Sequence, residues 1–311
     1  MGAELLFRAM GSDAHVIIVG AEPGLVDAAV ERIRDLEQRW SRFLVDSEVS
    51  ELNRKAGTFV PVSSETVTLI RRAMEAWHLS GGAFDPTVLG ALHRAGYDQP
   101  FDQIVQAPPF RVGSKSLLGV GAADIVIRGN SVRLPEATGF DPGGIGKGLA
   151  ADLVCSELIA AGADGACVNL GGDVRVMGNG PEGGGWTIAV EHAWSPLPIA
   201  VLGLAGGAVA TSTTLRRRWE LNGEPKHHII DPHTGLPSET DLTLATVVAG
   251  DAWVAEVLAK AVLLAGADHP FDIVGGTGAQ ALVVDDRGAV QSTPGLLEFT
   301  GIPTQPEVLA P

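Results

Sequence analysis

A glycine-rich segment carries the most unusual combination of side chains in this sequence. Residues 139–148 read GFDPGGIGKG, so one acid, Asp141, and one base, Lys147, stand among closely spaced glycines. A glycine-rich turn that enters a helix exposes backbone N–H groups, and these can bind an anion such as a phosphate. The segment is not a Walker A loop, because the residue after Lys147 is Gly148 and no glycine stands five residues before Gly146. An ordinary helix entry with an exposed lysine is the alternative interpretation.

A second polar segment, KHHIIDPHTG at 226–235, combines three histidines with Asp231 around a predicted strand end. Its Asp-Pro-His-Thr-Gly turn is polar enough to line a site. Adjacent residues of a strand point to opposite faces, so His227 and His228 would not share a metal ion. Because no cysteine or HExxH segment accompanies them, the sequence argues against a zinc site. His228 could equally be a hydrogen-bonded histidine at the end of a strand.

Two further turns are weaker signals. The segment GGAFDPTV at 81–88 places an aromatic residue and an acid directly after a predicted helix end, and VNLGGD at 168–173 follows a predicted strand with a double glycine. Taken alone, the first is an ordinary capped turn and the second a bulge or tight turn.

The elements that must position these residues follow from hydrophobic periodicity and turn signals. Helices are predicted from Leu25 to Trp40, from about 63 to 79 with Gly81-Gly82 closing it, from 145 to 161, and from 253 to 264. Residues 96–116 are predicted to be an irregular connection, and 124–134 a hairpin. Strands are predicted at 14–20, 166–170, 186–190, 198–204, 208–211, 227–230, 242–248 and 280–286. Strands outnumber helices without βαβ alternation, so we expect an α+β fold with mainly antiparallel sheets.

The composition predicts a globular protein and limits the partners that it is expected to bind. The 311 residues contain 45% hydrophobic residues, enough for a large core over residues 1–311, organised as one unit or as two intimately packed subdomains with an irregular tail at 297–311. The 22 basic against 37 acidic residues give a net charge of −15, which excludes nucleic acid and anionic membrane surfaces as expected partners. Cys155 and Cys167 lie in apolar stretches and are predicted to be buried hydrophobic residues. Charged residues interrupt the N-terminal apolar stretch, so we expect no membrane anchor and a cytoplasmic location.

Seven segments, taken together and in order, resemble the FAD:protein FMN transferase (ApbE) family. The resemblance extends from Met10 to about Gly266. The segments are AMGS at 9–12, WSRFLVDSEVSELN at 40–53, GGAFDPTV at 81–88, FDPGGIGKGLAAD at 140–152, VNLGGDVRVMG at 168–178, ATS at 210–212 and HHIIDPHTGLP at 227–237.

The resemblance implies an α+β flavoprotein enzyme that binds FAD as its substrate. Such an enzyme cleaves the pyrophosphate and transfers FMN to a Thr or Ser hydroxyl of an acceptor protein, with release of AMP and normally with Mg²⁺ bound. His228 and Asp231 match the His/Asp pair at the family's reaction centre, where one of them would orient or deprotonate the acceptor hydroxyl. The residues that match the family's flavin contacts are Met10, Phe43, Ala83, Phe84, Asp85, Asp141, Lys147 and Ile230.

The metal site is where the sequence departs from the family. Members present an Asp and, four residues later, a Thr at the start of the last helix, together with an oxygen of the glycine-rich turn, here Gly144. A gap-free register from Asp231, and equally from Gly266, aligns Glu256 with that Asp, Ala259 with the residue before the Thr, and Lys260 with the Thr itself. Asp251 is the other possibility for the Asp, but four residues later stands Ala255. A protonated lysine cannot be a Mg²⁺ ligand.

Two interpretations of this departure follow. In the first, which we prefer, Lys260 replaces the metal as a catalytic cation that holds the pyrophosphate, in a transferase that needs little or no Mg²⁺. In the second, Glu256 and Lys260 form an i,i+4 ion pair in a protein that binds or delivers flavin without turning it over. A pyrophosphatase that cleaves FAD to FMN and AMP with water as the acceptor is a third hypothesis.

Overall fold

The structure is a computed structural model, and it describes residues 2–22, 24–104, 121–192 and 195–300. Six α-helices lie in these ranges: α1 (Leu25–Trp40), α2 (Glu48–Arg54), α3 (Ser64–Leu79), α4 (Leu89–Arg94), α5 (Gly146–Ala160) and α6 (Ala252–Ala265). The strands are β1 (Gly2–Ala9), β2 (Ser12–Val19), β3 (Val60–Pro61), β4 (Val126–Arg128), β5 (Ser131–Arg133), β6 (Gly165–Leu170), β7 (Asp173–Gly178), β8 (Trp186–Val190), β9 (Ala200–Leu204), β10 (Gly207–Thr213), β11 (Arg218–Leu221), β12 (Glu224–His227), β13 (Ile230–Asp231), β14 (Leu236–Pro237), β15 (Leu242–Ala249), β16 (Gln280–Asp285) and β17 (Val290–Ser292).

The chain divides into two compact units. The first comprises Met1–Arg34, Lys147–Thr213 and Thr240–Pro311, and it is built on an eight-stranded sheet in the order β1-β2-β6-β7-β10-β15-β16-β17. Every neighbouring pair in this sheet is antiparallel, which confirms the predicted α+β class. Helix α6 packs on β10 and β15. Its alanines and leucines make it almost wholly buried, so that Glu256 is a charged residue in an apolar helix.

The second unit comprises Asp35–Gly146 and Thr214–Glu239. It contains helices α2 to α4, a three-stranded sheet in the order β3-β5-β4, and the hairpins β11-β12 and β13-β14. Helix α3 begins as predicted, because the Ser63 hydroxyl accepts a hydrogen bond from Thr66 N. It ends before Gly81 and Gly82, whose φ angles of 58° and 87° are left-handed and therefore favour glycine.

Most predicted elements are confirmed within a few residues, and one prediction is wrong. The strand predicted at 227–230 is divided, because β12 ends at His227 and β13 begins at Ile230. Between them Ile229 N donates to His227 Nδ1, and the Ile229 carbonyl accepts from Ser238 N, so side-chain and loop bonds replace a strand ladder. Strand β1 was not predicted, because nearly all of its residues are exposed and it lacks a buried apolar face.

Several predicted segments extend beyond the described residues. The irregular connection predicted at 96–116 is described only to 104 and includes a single 3₁₀ turn at Phe101–Gln103; its remainder lies outside the described residues. In the predicted tail, residues 297–299 belong to a 3₁₀ helix, Pro294–Phe299, and residues 301–311 lie outside the described part. Among the described residues, no helix is both long enough and apolar enough to cross a bilayer.

Candidate active site

Lys147 lies in the first turn of α5 and bonds two buried carboxylates. Its Nζ atom donates to Asp173 Oδ2 and, at 2.7 Å, to Glu256 Oε1. Asp173 begins β7 after the double glycine, and Glu256 projects from α6, so three distant segments of the first unit converge here. The side chains of Asp173 and Glu256 are only 5% and 6% exposed, and that of Lys147 is 17% exposed. The lysine expected at the pyrophosphate is therefore the centre of an ion triad.

The electrostatics of this triad keep the ammonium charged. Burial by itself lowers the pKa of Lys147, but the two carboxylates more than compensate and raise this pKa above its ordinary value. One ammonium and two carboxylates sum to one negative charge. The triad by itself therefore does not offer a surplus positive charge to a phosphate.

The second oxygen of Glu256 binds the backbone of the glycine-rich segment. Glu256 Oε2 accepts from Gly148 N at 2.8 Å, one residue after Lys147. A Cβ atom on Gly148 would collide with the backbone of Ala252 and Trp253, so only glycine allows α5 and α6 to approach this closely. The Glu256 carboxylate therefore fixes the first turn of α5, because it binds the side chain of Lys147 and the main chain of Gly148.

A second ion cluster holds the start of α6, and the sequence interpretation missed it. Asp152 of α5 accepts from Ala252 N at 2.8 Å and from Trp253 N at 2.9 Å, and Arg175 Nε lies 3.2 Å from its Oδ1 atom. Arg175 also donates to the Gly250 carbonyl. Burial raises the pKa of Asp152 to about 6, against the opposing effects of these N–H groups and of Arg175. Asp152 lies within the matched segment at 140–152, but Ala252 and Trp253, whose N–H groups it binds, are 100 and 101 residues away in sequence.

The predicted metal ligands do not fit Mg²⁺ as they are arranged. Mg²⁺ requires free oxygen ligands, whereas both oxygens of Glu256 already accept from N–H donors and an ammonium is the adjacent cation. Ala259 is fully buried in α6 and Gly144 is buried in the glycine-rich turn. The described residues include no cluster of three His, Cys, Asp or Glu suited to a metal.

Lys260 and Met10 complete the predicted site residues of the first unit. Lys260 is half-buried one turn beyond Glu256 on α6. Glu256 is too buried for the solvated i,i+4 pair considered from the sequence, and it bonds Lys147 from another helix. Met10 forms the turn between β1 and β2 with a left-handed φ of 51° and is half-buried.

In the second unit an arginine links two of the predicted flavin contacts. Arg42 Nε lies 3.0 Å from Asp141 Oδ1, and its guanidinium carbon lies 4.1 Å from the ring centroid of Phe43. The same guanidinium stacks 4.7 Å from the Tyr97 ring and donates to the Tyr97 carbonyl. Arg42 lies inside the matched segment at 40–53, yet its role was not predicted. It sets the positions of both Phe43 and Asp141.

Much of the segment at 81–88, which was predicted to contact the flavin, is buried. Phe84 is 2% exposed and belongs to the core, which removes its ring from contact with a ligand. The Asp85 carboxylate accepts from Thr87 N at 2.7 Å and from the Thr87 hydroxyl at 2.5 Å, while Ala83 remains half-buried. Ile230 is 4% exposed and packs with Tyr97 in a small apolar cluster.

The predicted catalytic pair lies around the bend between β12 and β14. Asp231 Oδ1 accepts from His233 N at 2.9 Å and lies 3.2 Å from His233 Nδ1, so the carboxylate is held by the turn that it opens. His228 is half-buried at the bend, three residues before Asp231. His227 bonds the Ser238 carbonyl through Nε2, and burial lowers its pKa.

The chain is similar to known proteins in both sequence and fold. A family model described as the ApbE family matches residues 10–283. FAD:protein FMN transferases of Haemophilus influenzae and Treponema pallidum are 27% and 29% identical, over 86% and 93% of this chain and 81% and 86% of their own lengths. The crystal structure of an ApbE protein from Thermotoga maritima superimposes with a TM-score of 0.86 at 28% identity, covering 97% of this chain and all of that one. The apo flavinyl transferase ApbE of Pseudomonas stutzeri gives 0.82 at 26% identity, with 98% of each chain covered.

Proposed function

This chain belongs to the ApbE family, and we propose that it acts as an FAD:protein FMN transferase through the residues described above. The protein is a transferase, and FAD is its flavin substrate. The ordered match of the family model over residues 10–283 carries this conclusion. The activity of the curated relatives favours transfer to a protein over the flavin-delivery and pyrophosphatase alternatives.

The reaction is a phosphoryl transfer from FAD. The oxygen of a Thr or Ser hydroxyl on the acceptor protein attacks the phosphorus of the FMN half. The bond from this phosphorus to the bridging oxygen breaks, AMP leaves with that oxygen, and the hydroxyl proton passes to a base. Positioning and charge neutralisation supply most of the catalysis in reactions of this type.

The glycine-rich segment is the proposed binding element for the pyrophosphate. A glycine-rich turn at the start of a helix suits an anion. Several N–H groups of this segment already have protein acceptors, because Glu256 accepts from Gly148 N and the Pro142 carbonyl accepts from Ile145 N and Gly146 N. The observed Lys147 triad supports a positioning role, because Glu256 bonds both Lys147 and Gly148 and thereby fixes the start of α5. Asp152 of α5 holds α6 against α5, since it accepts from the first two N–H groups of α6.

His228 and Asp231 are the proposed catalytic pair for the acceptor hydroxyl. A neutral imidazole nitrogen is a common acceptor for a hydroxyl proton in enzymes, and His228 is the histidine of the matched motif. The turn that holds the Asp231 carboxylate limits its freedom, so we assign orientation to Asp231 and proton acceptance to His228. Phe43, Asp141, Met10 and the backbone near Ala83 are proposed to contact the flavin half.

No step of this proposal passes through a metal. Members of the family normally use Mg²⁺, but Glu256 is engaged by Lys147 and Gly148, and Lys260 stands at the position of the usual threonine. We therefore propose an enzyme with weak or no Mg²⁺ dependence, in which the ammonium of Lys260 takes the place of the ion. The Thr or Ser acceptor and the cytoplasmic location remain predictions.

The test is incubation of the purified protein with FAD and an acceptor protein whose target Thr or Ser hydroxyl is still free. Transferase activity predicts equal amounts of AMP and of acceptor with covalently attached FMN, detected by mass spectrometry and by in-gel fluorescence. AMP release with free FMN alone would identify a pyrophosphatase. Tight FAD binding without AMP would identify a flavin-delivery protein.

A further inference from the structure

Strand β1 is an open edge of the eight-stranded sheet. It pairs with β2 on one side over eight residues, and within the described residues it has no strand neighbour on the other side. Nearly all of its residues are exposed, with Leu6 at 73% and Leu5 at 38%. Natural proteins usually shorten, bulge or cover such an edge, because its free N–H and C=O groups can pair with another strand.

The hairpin turn shows which backbone groups of β1 point away from β2. Met10 and Gly11 have φ angles of 51° and 66°, as in a type I′ turn, so the flanking Ala9 and Ser12 form a hydrogen-bonded pair. Hydrogen-bonded pairs recur at every second residue of an antiparallel ladder. Odd-numbered residues of β1 therefore bond β2, and the groups that point outward belong to Gly2, Glu4, Leu6 and Arg8.

The sequence of β1 is complementary to itself when it is read in the opposite direction. An antiparallel pairing centred on Leu6 places Glu4 opposite Arg8, Leu5 opposite Phe7 and Leu6 opposite its own equivalent. In this register even-numbered residues of one copy lie opposite even-numbered residues of the other. These are the residues whose N–H and C=O groups point outward, so the two strands can form hydrogen bonds. Charged pairs and apolar pairs both match, and directly opposed pairs of this kind stabilise a sheet.

The neighbouring strand extends this complementarity. Within one chain Arg8 Nη1 lies 3.2 Å from Asp13 Oδ1, and Glu4 Oε2 lies 3.0 Å from His15 Nε2. With Glu4 of one copy opposite Arg8 of the other, a row of alternating donors and acceptors crosses four strands. Its order is His15 and Glu4 of one copy, followed by Arg8 and Asp13 of the other. A chain with a net charge of −15 repels its own copies in general, so a charge-balanced edge is a suitable place for contact.

We propose that β1 pairs with β1 of a second copy of this chain, antiparallel about a two-fold axis at Leu6, and joins two eight-stranded sheets into one. A two-fold contact of this type is self-complementary and closes at the dimer. The register also places residue 2 of the partner opposite Met10, so the dimer contact would support the turn that carries this proposed flavin contact.

The first test traps the proposed register with a disulfide. In a hydrogen-bonded antiparallel pair the Cα atoms lie about 5.5 Å apart, within reach of a disulfide. Leu6→Cys should therefore give a cross-linked dimer of twice 32.2 kDa under mild oxidation. The matched control is Glu4→Cys, because the two equivalent positions would lie roughly 13 Å apart in this register. The native Cys155 and Cys167 are buried and do not interfere.

The second test uses charge, measured by sedimentation velocity with circular dichroism as the folding control. Wild type should show a concentration-dependent monomer–dimer equilibrium. Glu4→Arg and Arg8→Glu should each be monomeric alone, because each places like charges opposite each other, and an equimolar mixture of the two should restore dimers since every opposed pair is then complementary. Leu6→Pro removes an outward N–H and should also give monomers.

The outcomes decide the proposal. Cross-linking of Leu6→Cys but not of Glu4→Cys, together with rescue in the mixture, supports it. A wild type that is monomeric at its highest soluble concentration overturns it and leaves the edge to a strand of another protein. A dimer that persists in all three charge and proline variants also overturns it, because the interface then lies elsewhere.

Discussion

Lys147 Nζ lies 2.7 Å from Glu256 Oε1, and the two residues are 109 positions apart in sequence. The same ammonium bonds Asp173, and both carboxylates are almost completely buried. A buried ion pair is costly to break, because removal of one partner leaves an uncompensated charge in a medium of low polarity. This relationship fixes Lys147 at the start of α5 in the first unit.

Lys147→Met should therefore destabilise the protein by about 3–5 kcal/mol, since Asp173 and Glu256 are left without their shared cation. The free energy of unfolding in urea measures this effect. The matched control is Lys55→Met, which removes an exposed i,i+4 partner of Glu51 and should cost less than about 1 kcal/mol. Equal losses in the two variants would contradict the structural role assigned to Lys147.

Gly148→Ala should destabilise the protein by about 1–3 kcal/mol, although alanine is the better helix former. The added Cβ atom would meet the backbone of Ala252 and Trp253, which cannot move independently of α6. Gly146→Ala is the control on the same helix, because its nearest neighbour is Pro142 Cβ at 3.4 Å, an ordinary contact. Thermal unfolding compares the two, and a tolerated Gly148→Ala would disprove the close approach of α5 and α6.

Asp152 should make the stability fall as pH rises from about 4 to about 6. Because burial raises its pKa to about 6, the folded state retains a proton that the unfolded state has lost in this range. Asp152→Asn removes this titration while it keeps a side-chain oxygen for the N–H groups of α6. The free energy of unfolding of wild type, minus that of the variant, should decrease by about 1–3 kcal/mol across the range. A difference that does not vary with pH would argue against the raised pKa.

His228→Ala should reduce FMN transfer by about 10²–10⁴-fold and leave FAD binding nearly unchanged, because the proposed base acts on the acceptor hydroxyl. Single-turnover assays of covalent flavin and fluorescence titration with FAD separate these effects. His78→Ala is the control, since His78 is exposed on α3 and its Nδ1 atom bonds the Met74 carbonyl. A wild-type transfer rate in His228→Ala would remove His228 from the mechanism.

Chelation should change the activity little. Glu256 accepts from Lys147 and Gly148, so an ammonium occupies the place where a divalent ion would need free oxygens. Transfer assays with EDTA and with added Mg²⁺ should give similar rates. Lys260→Thr combined with Glu256→Asp restores the Asp and Thr that the family resemblance implies at these positions, and this variant should become more dependent on Mg²⁺. Loss of most wild-type activity in EDTA would show that a metal binds despite these contacts.

Local sequence determined most of the elements and the family. Helix α3 could be predicted from Ser63, its apolar spacing and Gly81-Gly82, because caps and periodicity act within a few residues. The ordered segments likewise identified the ApbE resemblance, since each is a short contiguous string. Strand β1 could not be predicted in this way. Its residues are nearly all exposed, so no buried face imposes an alternating apolar pattern on its sequence.

Only the tertiary structure decided which charges meet. The sequence placed Glu256 beside Lys260 on one helix, but burial of α6 directs the Glu256 carboxylate to Lys147 and Gly148 on α5. Asp152 and Arg175 likewise acquire their roles at the start of α6 through contacts across many tens of residues. Helical spacing specifies neighbours within one element, whereas the partner of a buried charge depends on how elements pack, because each such charge must find compensation wherever the fold provides it.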